Sequence, residues 1–143
     1  KKFEKDMSDN LRLFLNLELV EVRQHFAHDA GLMITWDELA DRIENWDYYI
    51  RKYPETPETK IAKEIYQRYL RAYVRGMDNT SLFDYQTKKL KDEVKKSYEK
   101  FIGEYGSTKA FEVVKSFYDV LKKNNFELTN QVREYMNHME LNY

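Results

Sequence analysis

His25 and His28 stand three residues apart with Asp29 beside the second, and at that spacing one face of a helix offers two imidazoles to a single metal ion. A zinc site asks for three or four ligands, and the third histidine, His138, lies near the other end of the chain, where only the fold can bring it back. Without a further ligand the pair reads as two solvated or capping histidines. No metal and no cofactor is assigned, and His25 and His28 are the candidate ligands should one bind. The acidic pairs Asp37/Glu38 and Asp92/Glu93 supply carboxylates, but acid-base catalysis needs a pocket that shifts their proton affinity, and both pairs fit helix starts and solvated faces. A nucleophile elbow, a phosphate-cradling glycine loop and a dinucleotide fingerprint are all missing, and four scattered glycines cannot build the last two. The chain is read as non-enzymatic.

Two further clusters carry charge or stacking surface. Lys88, Lys89, Lys91, Lys95, Lys96 and Lys100 make one segment locally basic, diluted by Asp92, Glu93 and Glu99. Tyr66, Tyr69, Tyr73 and Tyr85 near Arg68, Arg71 and Arg75 combine rings with cations, the pairing that single-stranded nucleic-acid sites use. Spacing of three and four puts the first three tyrosines on one helical face, where core packing accounts for them. Across the whole chain 24 Lys and Arg stand against 25 Asp and Glu, a net charge of −1, so the basic excess that drives phosphate binding is absent and no nucleic-acid partner is assigned.

The elements that must position these residues are helices. Only four glycines and two prolines interrupt 143 residues, and they fall where helical patterns stop. The length suits one domain with one core. With no cysteine there are no disulfides or thiolate sites, and no apolar run approaches the roughly 18 residues that cross a bilayer. The chain opens on Lys1-Lys2-Phe3 without an initiator Met, which leaves room for a removed upstream segment such as a signal peptide.

Six helices are predicted. The first runs from about 10 to 29, capped by Ser8 or Asp9, with Leu13, Leu17, Val20 and Phe26 on its apolar stripe. The second starts at a capping box, Thr35-Trp36-Asp37-Glu38, buries Trp36, Leu39, Ile43, Trp46, Tyr49 and Ile50, and ends at Tyr53 because Pro54 disfavours α geometry there. Thr56 and Pro57 cap a third helix reaching Arg75 before Gly76. A fourth runs from about 87 to 105, a fifth follows Gly106-Ser107 and ends at Asn124-Asn125, and Thr129 caps a sixth, after which residues 141–143 fray. The longest loop, 77–85, holds Leu82, Phe83 and Tyr85 where a connection needs only a few polar residues. Such a loop either folds Leu82 and Phe83 back as plugs or displays Leu82, Phe83 and Tyr85 as a partner-binding tip.

Segments 46–66 and 98–118 overlay without a gap. Ile50, Tyr53, Thr56, Lys63 and Tyr66 meet Ile102, Tyr105, Thr108, Lys115 and Tyr118 as identities, and Trp46/Tyr98, Tyr49/Phe101, Ile61/Val113 and Ile65/Phe117 as conservative pairs. Each segment is a helix, a turn and a helix, a unit that completes its core by stacking on the next. The junction Tyr49-Ile50-Arg51-Lys52-Tyr53-Pro54-Glu55-Thr56-Pro57, with its partner Phe101-Ile102-Gly103-Glu104-Tyr105-Gly106-Ser107-Thr108, resembles that of tetratricopeptide-like helical-hairpin repeats in bacterial cell-envelope proteins. The resemblance implies stacked helical hairpins, a protein-interaction or scaffold role with another protein as partner, and a periplasmic or cell-surface setting over a cytoplasmic one. It implies no catalytic residue. The alternative is a small-ligand or metal-binding helical bundle with His25, His28 and inner-face tyrosines lining a pocket.

Overall fold

The computed structural model describes residues 7–143, so the Lys1-Lys2-Phe3 opening lies outside the described residues. In chain order it contains helix α1 (Asp9–Arg23), a hairpin of β1 (Ala27–His28) and β2 (Gly31–Leu32), then α2 (Trp36–Lys52), α3 (Thr59–Arg75), α4 (Asp92–Glu104), α5 (Lys109–Lys123) and α6 (Asn130–His138). The class is predominantly α, with six helices among the described residues.

The first helix is shorter than its apolar pattern predicts. Asp29 and Ala30 take φ of 47° and 56°, the left-handed pair that a tight hairpin turn prefers, and the chain reverses to pair Ala27 with Leu32 and His28 with Gly31. Glu21 anchors the departure from helix: its carboxylate accepts the Phe26 amide at 3.2 Å, Arg42 Nη1 at 2.5 Å and the Tyr69 hydroxyl at 2.8 Å. Arg42 Nη2 also donates to the Gln24 carbonyl at 2.7 Å. The stripe on α1 is corrected too, since Phe14 is its buried residue while Val20 faces solvent.

α2 forms as its local signals dictate. The Thr35 hydroxyl accepts the Glu38 amide at 3.1 Å, Glu38 Oε2 accepts the Thr35 amide at 2.7 Å, and Trp36, Leu39, Ile43, Trp46, Tyr49 and Ile50 are all buried. α3 begins at Thr59, later than the Thr56-Pro57 cap predicted. Those two residues lie in a turn instead, closed by the Thr56 amide donating to Thr59 Oγ1 at 3.1 Å and the Thr59 amide to the Thr56 carbonyl at 3.1 Å. α4 likewise starts late, at Asp92, because residues 88–91 are bonded outside a helix: Leu90 donates to the Phe126 carbonyl at 2.7 Å, Leu128 to that of Lys88 at 2.9 Å and Lys91 to that of Leu82 at 2.9 Å. Thr108 caps α5 and Thr129 caps α6, each accepting the amide three residues on. The end of the chain is packed rather than frayed. Leu141 is buried, and the Tyr143 ring meets Tyr66 edge-on at 5.0 Å.

α2 packs most extensively on α3, and α4 on α5, while α2 also touches α4 and α5, α1 lies on α2, and α6 on α5. One continuous core threads both pairs. At the two junctions the chain leaves its helix alike: the Tyr53 amide donates to Tyr49 and the Tyr105 amide to Phe101, both at 2.9 Å, with rings 5.4 and 5.0 Å apart. Beyond the turn they differ, because Thr108 caps its helix directly while Thr56 does not, and Tyr66 is buried where Tyr118 is half-buried.

Candidate functional site

The connection from α3 to α4 starts at Gly76, whose φ of 74° and surroundings exclude a side chain: a Cβ there would lie 3.0 Å from the Thr80 carbonyl oxygen and 3.2 Å from the Leu82 amide. Met77 and Thr80 then exchange amide-to-carbonyl bonds at 2.9 and 3.0 Å. Leu82 and Phe83 turn inward and are only 1% and 4% exposed. As placed here they are plugs under the connection, and they offer a partner no surface.

Past Phe83 the chain forms a small closed tip. Asp84 Oδ1 accepts the amides of Gln86 at 2.9 Å and Thr87 at 2.8 Å, and these donors, that of Thr87 foremost, hold the Asp84 carboxyl below the usual aspartate range. Lys88, at φ 60°, donates to the Asp84 carbonyl, and Asp84 donates to that of Lys89, so the tip is pinned on both sides. Tyr85 stands on it 87% exposed, with Lys88 Nζ 4.5 Å from its ring centroid.

Two concavities lie on this side of α4, and the smaller one adjoins the tip. A groove of about 700 Å³ runs between the hairpin, the start of α2 and α4, with Leu32, Met33, Ile34 and Trp36 along it and Lys96 and Lys100 on one rim. Asp37 and Glu38 form the opposite rim, and Lys100 reaches across to Asp37 at 3.3 Å. Glu93 lines both that groove and a shallower depression of about 520 Å³ bounded by Asp84, Thr87 and Lys91. Met33 in the groove is well exposed, and the depression at Asp84 and Thr87 adjoins the Tyr85 tip.

The histidines do not share a helical face, since α1 ends at Arg23 and His28 lies in β1. His25 Nδ1 is 3.5 Å from Glu21, His28 Nδ1 is 3.4 Å from Asp29, and His138 Nδ1 sits 2.8 Å from the Glu134 carbonyl. Among the described residues no three His, Asp or Glu side chains gather to hold a metal ion. Tyr66, Tyr69 and Tyr73 are core residues, and burial pushes their phenols up, as it does that of Tyr98, so all four stay protonated at neutral pH. The basic segment is largely engaged: Lys89 bonds Asn125 and Glu127, Lys95 lies 4.3 Å from the Phe126 ring, and Lys100 pairs with Asp37.

Sequence reasoning missed the buried charges. Asp47 is fully buried, with Arg51 Nε 2.5 Å from its Oδ2 and its Oδ1 unpaired, while the Tyr66 hydroxyl also lacks a partner. Glu44, next to them, is held above the ordinary glutamate range by burial first and by the Asp47 charge second, against Arg51. Their signal was polar spacing beside the apolar stripe of α2, which reads as a solvated flank. No helix among the described residues is long and apolar enough to cross a membrane. No protein family, curated protein or solved structure matches the chain.

Proposed function

We propose that this domain is a non-enzymatic protein-interaction module whose contact face is the Tyr85 tip together with the groove floor at Met33 and Trp36. One observation carries the reading: Tyr85 is almost wholly exposed on a tip whose backbone is closed by its own hydrogen bonds and rooted by two buried apolar side chains. The backbone beneath the ring is already ordered, so binding here costs only the rotamer freedom of a side chain with two rotatable bonds, which suits an interface anchor. The tetratricopeptide-like reading belongs to the same proposal, supported by the matching register of 46–66 and 98–118 and by the alike departures at Tyr53 and Tyr105.

The test is site-specific photo-crosslinking from position 85 in cells of the source organism, with a probe at exposed Ile61 on α3 as the control. A discrete adduct from position 85, weakened in Met33→Ser and absent from position 61, is the expected result. Equal adduct patterns from both positions would refute the assigned face.

A further inference from the structure

Arg68 and Arg71 leave α3 one turn apart, both exposed, and neither guanidinium makes a hydrogen bond or ion pair among the described residues. They border an open cleft of about 250 Å³ whose apolar walls are Phe26, Ala30, Ala72 and Met77 and whose rim carries Asp78. Asp78 is likewise unpaired and lies beyond ion-pair distance of both guanidiniums. Among the described residues two unpaired cations and one unpaired anion thus border an apolar wall across a gap that none of them closes.

Two hydrogen bonds fix the hairpin against the connection beside the cleft. Asn79 donates its amide to the Ala30 carbonyl at 2.9 Å, tying the hairpin tip to the turn, and the Thr80 hydroxyl accepts the Leu32 amide at 2.9 Å. The positive φ of Gly76 sets the direction in which Met77 and Asp78 leave α3. The cleft shares no lining residue with the groove at Met33 and Trp36, so the inference is independent of the interaction reading.

We propose that this cleft binds a zwitterionic small molecule of the α-amino-acid class with an apolar side chain. The ligand carboxylate meets Arg68 and Arg71, whose planar guanidiniums suit it, and the ammonium meets Asp78. The side chain lies against Phe26, Ala72 and Met77. The volume is below the roughly 300–1,000 Å³ of drug-sized sites and fits one amino acid rather than a longer chain.

Backbone-amide NMR titration of the protein with L-phenylalanine and L-leucine is the test. Saturable shifts at Ala30, Ala72 and Met77 are expected, with affinity about tenfold or more weaker for phenylalaninamide, which lacks the carboxylate, and for 3-phenylpropionate, which lacks the ammonium. Arg68→Gln/Arg71→Gln should abolish the phenylalanine shifts, and Asp78→Asn should make phenylalanine bind no better than 3-phenylpropionate; all three positions flank the core, so the melting temperatures should match wild type. No saturable shift with either amino acid, wild-type binding of 3-phenylpropionate as tight as phenylalanine, or shifts that persist in the double variant would each overturn it.

Discussion

Leu82→Ala separates a structural plug from a binding tip. The side chain is all but fully buried, and truncation removes three carbons, about 2.4 kcal/mol at roughly 0.8 kcal/mol per buried methylene. The site cannot collapse around the loss. Its carbonyl is held by the Lys91 amide at 2.9 Å, and the backbone before it is fixed by Gly76, whose would-be Cβ lies 3.4 Å from Leu82 Cγ. A residual cavity therefore adds its own term, and the total falls at about 3–4 kcal/mol, inside the roughly 2–5 kcal/mol span of buried leucine truncations. Phe83→Ala should cost at least as much, whereas Tyr85→Ala, on the same loop but in solvent, should stay within about 0.5 kcal/mol of wild type. Urea unfolding of the three variants, with midpoints and slopes both fitted, measures the contrast. If Leu82→Ala costs under about 1 kcal/mol at an unchanged slope, the loop is not rooted as described, and the rigidity attributed to the Tyr85 tip goes with it.

Ala30 occupies the left-handed region at φ 56°, so Ala30→Gly should stabilise the protein by about 0.5–1 kcal/mol, read as a higher urea midpoint; a lower one would mean the turn is not as placed. Thr35→Ala removes the hydroxyl that accepts the Glu38 amide and should cost about 1 kcal/mol, with Thr35→Ser restoring most of it in the same assay. Glu44 binds its proton more tightly folded than unfolded, because burial and then Asp47 raise its pKa against the opposing Arg51. The folded state therefore holds more protons between the ordinary glutamate pKa and the raised value, and stability falls as pH rises through that window. Glu44→Gln should flatten that slope and melt higher than wild type at neutral pH; a lower melting point with the slope intact contradicts the assignment.

α2 was legible residue by residue because all its instructions are local: a hydroxyl three residues from a carboxylate, apolar spacing of three and four, and a proline just past the end. The end of α1 was illegible for the opposite reason. What stops it at Arg23 is a carboxylate whose partners Arg42 and Tyr69 come from other helices, and a hairpin whose amide finds Thr80. The apolar spacing through Phe26 survives in the sequence although Phe26 reaches the core from outside the helix. The same holds for 88–91, whose lysines favour helix locally but whose amides and carbonyls bond Leu82, Phe126 and Leu128. Once α1 is cut short, the two histidines no longer share a face. The partner-binding trio divides as well, since burial of Leu82 and Phe83 depends on what lies beneath the loop, which spacing does not record.

The chain carries twelve tyrosines, a residue type that suits interfaces, and their hydroxyls show another use. Tyr69 reaches from α3 to Glu21 on α1, Tyr73 from α3 to Ser97 on α4, and Tyr98 from α4 back to the Tyr73 carbonyl, at 2.8, 2.8 and 2.7 Å. Tyr105, just past the end of α4, bonds Asp41 on α2, and Tyr118 on α5 bonds Glu99 on α4, each at 2.8 Å. A phenylalanine would fill the same volume without tying its helix to a neighbour. Each of these rings supplies buried area, and its hydroxyl fixes register between elements that short loops alone would let slide. Tyrosine enrichment is thus accounted for inside the fold and lends no weight to an interface. Tyr48 and Tyr85 alone are well exposed, at 46% and 87%, and Tyr48 lies on the regular surface of α2 within 5.5 Å of Lys52. Tyr85 is the ring that packing leaves unused, on a tip the fold has taken several bonds to hold still, and that is where a search for the partner should begin.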